Sequence, residues 1–81
     1  MVEGAIVGPQ KLRDWIEERP DRPGVAREKL GSQIGCEART IVSWLQGQRR
    51  PTLERAVKLQ RATKGRVRVS DFFPELRGLT L

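Results

Sequence analysis

Along most of this chain, hydrophobic residues recur at spacings of three and four. Glycine and proline separate the stretches that show this repeat. The first stretch lies between Gly8-Pro9 and Pro20, and its apolar residues are Leu12, Trp15 and Ile16. Such spacing is typical of an amphipathic helix with one buried side. Proline suits the first turn of a helix, and the residue before a proline avoids the helical conformation, so the first helix is predicted between these prolines.

Two further helices are predicted close together, from Val25 to Ile34 and from Ala38 to Gln46. Their inward residues are Val25, Ala26, Leu30, Gly31 and Ile34 in the former and Ile41, Trp44 and Leu45 in the latter. Glycine inside a helix costs about 1 kcal/mol relative to alanine, so Gly31 predicts that another backbone comes very close. Gly35 suits the left-handed residue at a helix end. Helices joined by so tight a turn must cross steeply, as in a helix-turn-helix.

A fourth helix and a less regular C-terminal part complete the predicted secondary structure. Thr52 can cap a helix that continues to about Thr63. Its predicted inward residues are Leu53, Ala56, Val57, Leu59 and Gln60. Alternation of valine and arginine over residues 66–69 predicts a short extended piece, and Ser70 can cap one helical turn that ends at Pro74. The expected fold class is therefore all-α, a compact domain of four to five helices, with the extended segment as an optional addition.

Basic residues are concentrated in one part of the 81-residue chain. The net charge is +6, but residues 1–48 are neutral overall, residues 49–68 carry +7 and residues 69–81 carry −1. Twelve of the sixteen basic residues are arginine, whose planar fork suits phosphate groups and guanine edges. This pattern favours a polyanionic partner over a merely solvated surface.

The composition argues against catalysis and metal binding. Histidine is missing, and with it the commonest general base and metal ligand. The single cysteine, Cys36, can form neither an internal disulfide nor a cysteine zinc site. We therefore expect no enzyme, no cofactor and no metal, and interpret Cys36 as a small buried hydrophobe, with redox sensing as the alternative. The sequence shows no long apolar run and no signal-like start, which predicts a soluble cytoplasmic protein with no membrane partner.

A series of small, apolar and basic residues at fixed spacing spans residues 30–51. Its members are Leu30, Gly31, Gly35, Cys36, Ile41, Trp44, Gly47, Arg49 and Pro51. This series resembles the helix-turn-helix of the phage Cro and repressor (XRE-like) family, from which Glu37 departs at a cap position usually held by serine or threonine. Residues 56–67 and 71–74 are similar to the last helix and tail of small Cro-like and YdaS-like prophage regulators, so the resemblance covers about residues 10–76.

The resemblance implies a sequence-specific, double-stranded-DNA-binding transcriptional regulator, of the kind in which a phage or prophage repressor binds an inverted repeat. The DNA-binding domain would span residues 9–74, between a flexible arm of residues 1–8 and a tail of residues 75–81. One helix reads only a few base pairs, which favours a homodimer. The expected location is the bacterial cytoplasm, with association with the nucleoid when the protein is bound to DNA.

Base contacts are predicted on the second helix of the helix-turn-helix, which enters the major groove with its N-terminal end at the bases. Because Ile41, Trp44 and Leu45 point to the core, the outward residues are the candidates. These are Ala38, Arg39, Val42, Ser43 and Gln46. Arg39 can bind O6 and N7 of guanine, and Ala38 and Val42 can pack on thymine methyl groups. The plainer alternative is that Arg39 pairs only with Glu37 or with solvent.

Phosphate contacts are predicted on either side of this helix. The candidates are Arg27, Ser32 and Gln33 before it and Gln48, Arg49 and Arg50 after it. The bases of the fourth helix are spread around it, so only some of them are expected to reach phosphate; they are Arg55, Lys58, Arg61 and Lys64. Trp15 and Trp44 are interpreted as core residues and not as platforms for stacked bases.

Apolar residues left over from the helical core lie on the C-terminal side and form the predicted dimer surface. They are Val67, Val69, Phe72, Phe73 and Leu76, with Leu79 and Leu81 beyond them. Alternatively, Phe72 and Phe73 cover the core of the monomer. Two other functions stay open: an antitoxin that presents this apolar tail to a toxin, and a protein-interaction adaptor with the same fold. RNA is disfavoured as a partner because the exposed pattern offers no aromatic residue for stacking.

Overall fold

The helices that the periodicity predicts are present in the computed structural model, which describes residues 7–76. They are α1 (Gly8–Glu17), α2 (Pro23–Ile34), α3 (Ala38–Leu45), α4 (Leu53–Ala62) and α5 (Val69–Phe72), followed by a short 3-10 helix, Pro74–Leu76. The all-α class is thereby confirmed. No strand occurs in residues 7–76, so the extended piece expected over residues 66–69 is wrong, and Val69 instead begins α5.

Glycine and capping residues set the helix boundaries as their chemistry predicts. Gly35 ends α2 in the left-handed conformation at φ +79°, and Gly47 follows α3 at φ +73°. The Thr52 hydroxyl accepts a hydrogen bond from the backbone N–H of Arg55 at 3.3 Å, which caps α4. The second helix begins two residues earlier than predicted because proline at Pro23 fits the first turn.

The core lies between α1, α2, α3, α4 and α5, and it includes an aromatic contact. It contains Leu12, Ile16, Leu30, Ile34, Ile41, Trp44, Leu59, Val67 and Phe72. The rings of Trp44 and Phe72 meet edge to face with centroids 6.5 Å apart. Trp15 lies at the edge of this core, and the guanidinium of Arg19 is 4.4 Å from the centre of its ring. Both tryptophans are thus core residues, as interpreted.

Three apolar residues that the sequence placed inward are exposed instead. They are Val25 on α2 and Leu53 and Val57 on α4. Successive residues of a helix are about 100° apart, and the buried stripe of α2 runs through Ala26, Leu30 and Ile34, which turns Val25 to solvent. On α4 the buried stripe runs through Ala56 and Leu59, and Leu53 and Val57 lie about 90° and about 130° from its midline.

The C-terminal segment, residues 63–76, is joined to the rest of the domain by polar contacts around buried valines. The Thr63 hydroxyl donates to the carbonyl of Leu59 at 2.9 Å and accepts from the backbone N–H of Val67 at 3.1 Å. The side-chain oxygen of Gln60 accepts from the N–H of Val69 at 2.9 Å. These bonds hold the chain between α4 and α5 without a strand.

Asp71 binds the residue that precedes α5 and also links α5 to α1. One carboxylate oxygen accepts from the backbone N–H of Arg68 at 2.8 Å, and the other accepts from the Lys11 ammonium at 3.1 Å. Ser70, the predicted cap of this turn, lies inside the helix, so that prediction is wrong and Asp71 takes the capping role. The helix begins at Val69 and so includes Ser70, which places Asp71 at the third position, from which its carboxylate reaches the N–H of the N-cap residue Arg68.

The domain extends slightly beyond the predicted limits. Gly8 is buried against the Phe72 ring and is the first residue of α1, so it belongs to the domain and not to the expected arm. At the other end, the 3-10 helix continues the fold to Leu76. The rest of the predicted arm and tail, residues 1–6 and 77–81 with Leu79 and Leu81, lies outside the described residues.

Candidate nucleic-acid interface

The turn between α2 and α3 is tight because the two backbones touch. The carbonyl of Gly31 accepts a hydrogen bond from the N–H of Cys36 at 2.9 Å. A Cβ atom added at Gly31 would lie 2.5 Å from the Cys36 carbonyl oxygen, too close for any side chain without a shift of backbone. The close approach predicted from a glycine inside the helix is therefore confirmed, and it fixes the start of α3 relative to α2.

The far end of α3 is anchored as well. Arg13 on α1 donates from its guanidinium to the carbonyl of Leu45 at 3.1 Å, so it satisfies one of the free carbonyls of the last turn. Ile41 and Trp44 are buried against α1 and α2. A helix held at both ends and along one side presents its opposite side in a defined orientation.

All five residues predicted to contact bases lie off the buried face of α3. Arg39 and Gln46 are exposed, and Ala38, Val42 and Ser43 are half-buried. The Ser43 hydroxyl donates to the carbonyl of Arg39 at 3.3 Å, which turns it toward the helix backbone. The resulting surface combines one long cation with small apolar and amide side chains.

Arg39 is the most prominent side chain of this surface. It is 84% exposed, and its Nε forms an ion pair with the carboxylate of Glu37, itself 67% exposed. The pairing that the sequence offered as the plainer alternative is thus present. Glu37 occupies the N-cap position of α3, but its side chain makes no capping hydrogen bond. The carboxylate therefore serves Arg39 and not the helix backbone.

Two open depressions flank α3 and bring predicted base and phosphate residues together. The first lies between α1, α2 and α3, where Arg27 joins Val42 and Gln46. The second lies between α2, the turn and α4, and its polar lining consists of Ser32, Glu37, Arg39, Thr40 and Arg55. Gln33 is exposed on α2 and lines neither depression.

Arg55 and Thr40 are residues of the candidate interface that the sequence did not single out. Arg55 lies in the first turn of α4 and is one of four bases on that helix, of which the sequence predicts only that some reach phosphate. Its position beside Arg39 arises from the packing of α4 on α2, which no local periodicity reports. The only sequence signal was an arginine placed directly after a capped helix start.

The loop after α3 contains two arginines in different states. The guanidinium of Arg50 lies 4.3 Å above the Phe73 ring and donates to the carbonyl of Phe72 at 3.4 Å and to Glu75 at 3.3 Å. Within residues 7–76, Arg49 has no side-chain hydrogen bond or ion pair, and Gln48 is exposed beside it. Arg50 is therefore part of the fold, and its predicted phosphate contact would require it to leave these partners.

The basic stretch, residues 49–68, is partly neutralised by ion pairs. Arg66 forms two hydrogen bonds of 2.7 Å to the Glu18 carboxylate, and Lys58 pairs with Glu54 at 3.4 Å. The hydrogen bond from Arg66 lowers the pKa of Glu18 below its ordinary value. In the part of the stretch not tied in this way, the basic residues are Arg49, Arg55, Arg61, Lys64 and Arg68.

The predicted dimer surface is wrong for three of its five residues. Val67, Val69 and Phe72 are 1%, 5% and 1% exposed, so they belong to the core of the chain itself. Phe73 is half-buried beneath Arg50, and Leu76 is half-buried in the 3-10 helix. A small domain needs its few large apolar residues for its own core, and none of these three is left for a second copy. The same burial removes Phe72 from the apolar surface that an antitoxin would use.

Cys36 lies at the turn, half-buried and packed against the core. Burial raises the pKa of its thiol, with Arg55 acting in the opposite direction. A raised pKa favours the neutral, unreactive thiol. This environment suits the interpretation of Cys36 as a small hydrophobe.

Comparison of the chain with family models, with curated protein sequences and with solved structures finds no match. Residues 7–76 contain no group of three or more Cys, Asp or Glu side chains arranged to hold a metal ion. Over the same residues, no helix has the length and apolar character needed to cross a membrane. The case for a function therefore rests on the geometry of α3 and its surroundings.

Proposed function

We propose that this chain is a sequence-specific DNA-binding protein that regulates transcription, with α3 as its recognition helix. The observation that carries the proposal is the outward face of α3, on which Arg39, Val42 and Gln46 are presented between two depressions that contain Arg27, Ser32 and Arg55. A surface that recognises a DNA sequence needs side chains that contact base edges next to side chains that bind phosphate.

The shape of the surface suits the major groove. The groove of B-DNA is about 12 Å wide and admits one α-helix, whose N-terminal residues meet the bases in a helix-turn-helix protein. Arg39 lies in the first turn of α3 and can bind the O6 and N7 atoms of guanine. Ala38 and Val42 offer methyl groups to thymine. Gln46, at the opposite end of the helix, lies near the edge of the groove.

The phosphate contacts fall on both sides of α3. Arg27 and Ser32 precede it, Gln48 and Arg49 follow it, and Arg55 adds a cation from α4. Each neutralised phosphate contributes about −0.9 to the slope of log K against log salt. Basic residues of the stretch 49–68 that form no ion pair with another described residue supply the positive charge on which this salt dependence rests.

A repressor that binds an inverted repeat as a homodimer is the form of regulator that fits best. One α3 reads only a few base pairs, and a second copy one helical turn away, roughly 34 Å, doubles the information read. The pairing surface of such a dimer lies outside the buried Val67, Val69 and Phe72 side chains.

Two measurements on the purified chain test this function. Titration of a labelled random-sequence duplex at several salt concentrations should give binding that weakens steeply with salt, and selection from a random DNA pool should enrich one motif with two-fold symmetry. Arg49→Ala should flatten the salt slope by about 1, whereas Arg66→Ala, whose arginine is already paired with Glu18, should change it less. Absence of salt-dependent binding, or a pool that enriches nothing, would favour a protein-interaction adaptor and remove the proposal.

A further inference from the structure

We propose that Glu37 is a positioning residue for base readout, which holds Arg39 by its Nε and so aims the two terminal nitrogens of the guanidinium at one guanine. This inference rests on the proposed function. It assigns Glu37, which the sequence marked as a departure at the cap position and as an alternative partner of Arg39, to the determination of DNA specificity.

The first observation is the partner that Glu37 takes. At an N-cap, a side-chain oxygen usually accepts from the backbone N–H of the second or third helical residue. Glu37 has the extended backbone of an N-cap, with φ −82° and ψ 155°, yet makes no such bond. Its carboxylate accepts instead from the side chain of Arg39, the second residue of α3. The side chain at the N-cap position therefore binds and orients Arg39 and does not cap the helix.

The second observation is which nitrogen is engaged. A guanidinium carries five N–H donors, one on Nε and four on the two terminal nitrogens. With Nε bound to Glu37, the terminal pair stays available as a fork, and a fork is the geometry that matches O6 and N7 of guanine. Within the described residues the terminal nitrogens of Arg39 make no hydrogen bond.

The third observation is the exposure of the pair. Arg39 is 84% and Glu37 67% exposed, and ion pairs so open to water contribute little to folding stability. Holding a long side chain near its bound geometry lowers the conformational entropy that it loses on binding. Less entropy is then lost when the contact with guanine forms, which widens the difference in affinity between correct and incorrect sequences, and specificity is that difference.

The test is a double-mutant cycle read out as base discrimination. Two DNA duplexes serve as probes. One is the duplex enriched by the wild-type chain, and in the other the guanine–cytosine base pair whose selection depends on Arg39 is replaced by adenine–thymine. We expect Glu37→Ala to reduce the ratio of the two dissociation constants by roughly threefold to tenfold, a part of what one bidentate contact supplies. Glu37→Gln, which keeps an acceptor oxygen, should retain more of the ratio. In an Arg39→Ala background, Glu37→Ala should leave the ratio unchanged.

A matched control separates positioning from charge. Glu54 is 79% exposed in the first turn of α4 and pairs with Lys58, so Glu54→Ala also removes one surface carboxylate from the side of the turn. It should strengthen binding to both duplexes alike and leave their ratio unchanged. Thermal unfolding of every variant confirms that the fold is kept.

Three results would overturn the inference. One is a Glu37→Ala variant that behaves like Glu54→Ala, with affinity raised on both duplexes and an unaltered ratio. Another is a loss of discrimination that persists when Arg39 is already alanine. In both cases DNA binding and the enriched motif survive, so the proposed function stands while the role of Glu37 falls. If the wild-type chain enriches no motif, the function and the inference fall together.

Discussion

The two-helix unit of residues 23–46 and the C-terminal segment of residues 63–76 are both well packed, but their contacts differ in range. In the two-helix unit, the contact that sets the turn joins residues close in sequence, namely the hydrogen bond from Cys36 to Gly31. In the C-terminal segment they join residues far apart, such as Lys11 with Asp71 and Gly8 with Phe72. The first region presents a surface, and the second closes the core beneath it.

This difference shows which side chains are available to bind a partner and which are needed by the fold. The outward residues of α3 make few contacts because the opposite side of the helix is anchored, so they are available to a partner. The apolar residues of the C-terminal segment look equally available in the sequence, but the domain needs them. Arg27 and Arg55 likewise line the depressions beside α3 without ion pairs to other described residues, whereas Arg50 is bound to Glu75 and Arg66 to Glu18.

The largest effect is expected from Phe72→Ala. Removal of a fully buried phenylalanine costs about 3–5 kcal/mol, much of the 5–15 kcal/mol that stabilises a typical domain. Urea denaturation should show that the variant is largely unfolded at urea concentrations at which the wild type is still folded. A folded, stable monomer with only its self-association lost would contradict the comparison and return Phe72 to a dimer surface.

A trio of glycine variants tests the close contacts in both regions. Gly31→Ala and Gly8→Ala each place a Cβ atom about where another group already lies, 2.5 Å from the Cys36 carbonyl oxygen and 2.6 Å from the Phe72 ring. Each should lower the free energy of unfolding by about 1–3 kcal/mol, more than the gain in helix propensity returns.

Gly24→Ala is the matched control for these variants, because its nearest neighbour is the guanidinium of Arg27 at 4.0 Å. It should stabilise the domain by a few tenths to about 1 kcal/mol. Denaturation of all three under the same conditions makes the comparison. Equal effects of the three substitutions would show that the close approaches are less rigid than the structure indicates.

Arg49→Ala and Arg50→Ala should separate a residue that binds phosphate from one that holds the fold. Loss of the Arg50 contacts with Phe73 and Glu75 should lower the free energy of unfolding by about 0.5–1 kcal/mol, while Arg49→Ala leaves it unchanged. Thermal unfolding measures this half of the prediction. In DNA titrations the order reverses, and Arg49→Ala should have the larger effect on the salt slope. Identical behaviour of the two variants in both assays would contradict this division.

A small effect of pH is expected where α1 meets the C-terminal segment. Because Arg66 lowers the pKa of Glu18, the folded state favours the ionised carboxylate. This contribution is present above the ordinary titration range of glutamate and is lost as the pH falls through the lowered pKa. Glu18→Gln should remove that part of the acid dependence of unfolding, because it lowers stability slightly near neutral pH, where the pair is formed, and leaves stability unchanged at low pH, where Glu18 is protonated. An unaltered acid profile would mean that the pair does not persist in solution.

Local pattern was enough to predict the first four helices and the outward residues of α3. Leu12, Ile16, Ile41 and Trp44 repeat at helical spacing, and glycines mark where the helices end. Local pattern was not enough for Val67 and Val69, since alternating valines are typical of a strand, whereas Val67 is buried in the connection before α5 and Val69 begins that helix. A four-residue helix such as α5 is also too short to show a period.

The site could be predicted as far as it depends on one helix. The register of α3 defines Arg39 and Val42 as outward residues once Ile41 and Trp44 point inward. The place of Arg55 beside Arg39, and the capture of Arg50 by Phe73, depend on how distant elements pack. The sequence offered the pair of Glu37 and Arg39 only as an alternative to base contact, and the structure adds that Glu37 engages the Nε of Arg39 and leaves its terminal nitrogens unbonded within the described residues.

The central claim is that the outward face of α3 reads DNA bases, and parallel selections with wild type, Arg39→Lys and Arg39→Ala test it most directly. Arg39→Lys keeps the positive charge but lacks the fork, so it separates base readout from electrostatic attraction. The account predicts that wild type enriches a motif with one dominant guanine in each half-site, that both variants lose preference at that position only, and that Arg39→Lys retains nearly all of the non-specific affinity. Three identical motifs would contradict the account and place base recognition elsewhere on the molecule.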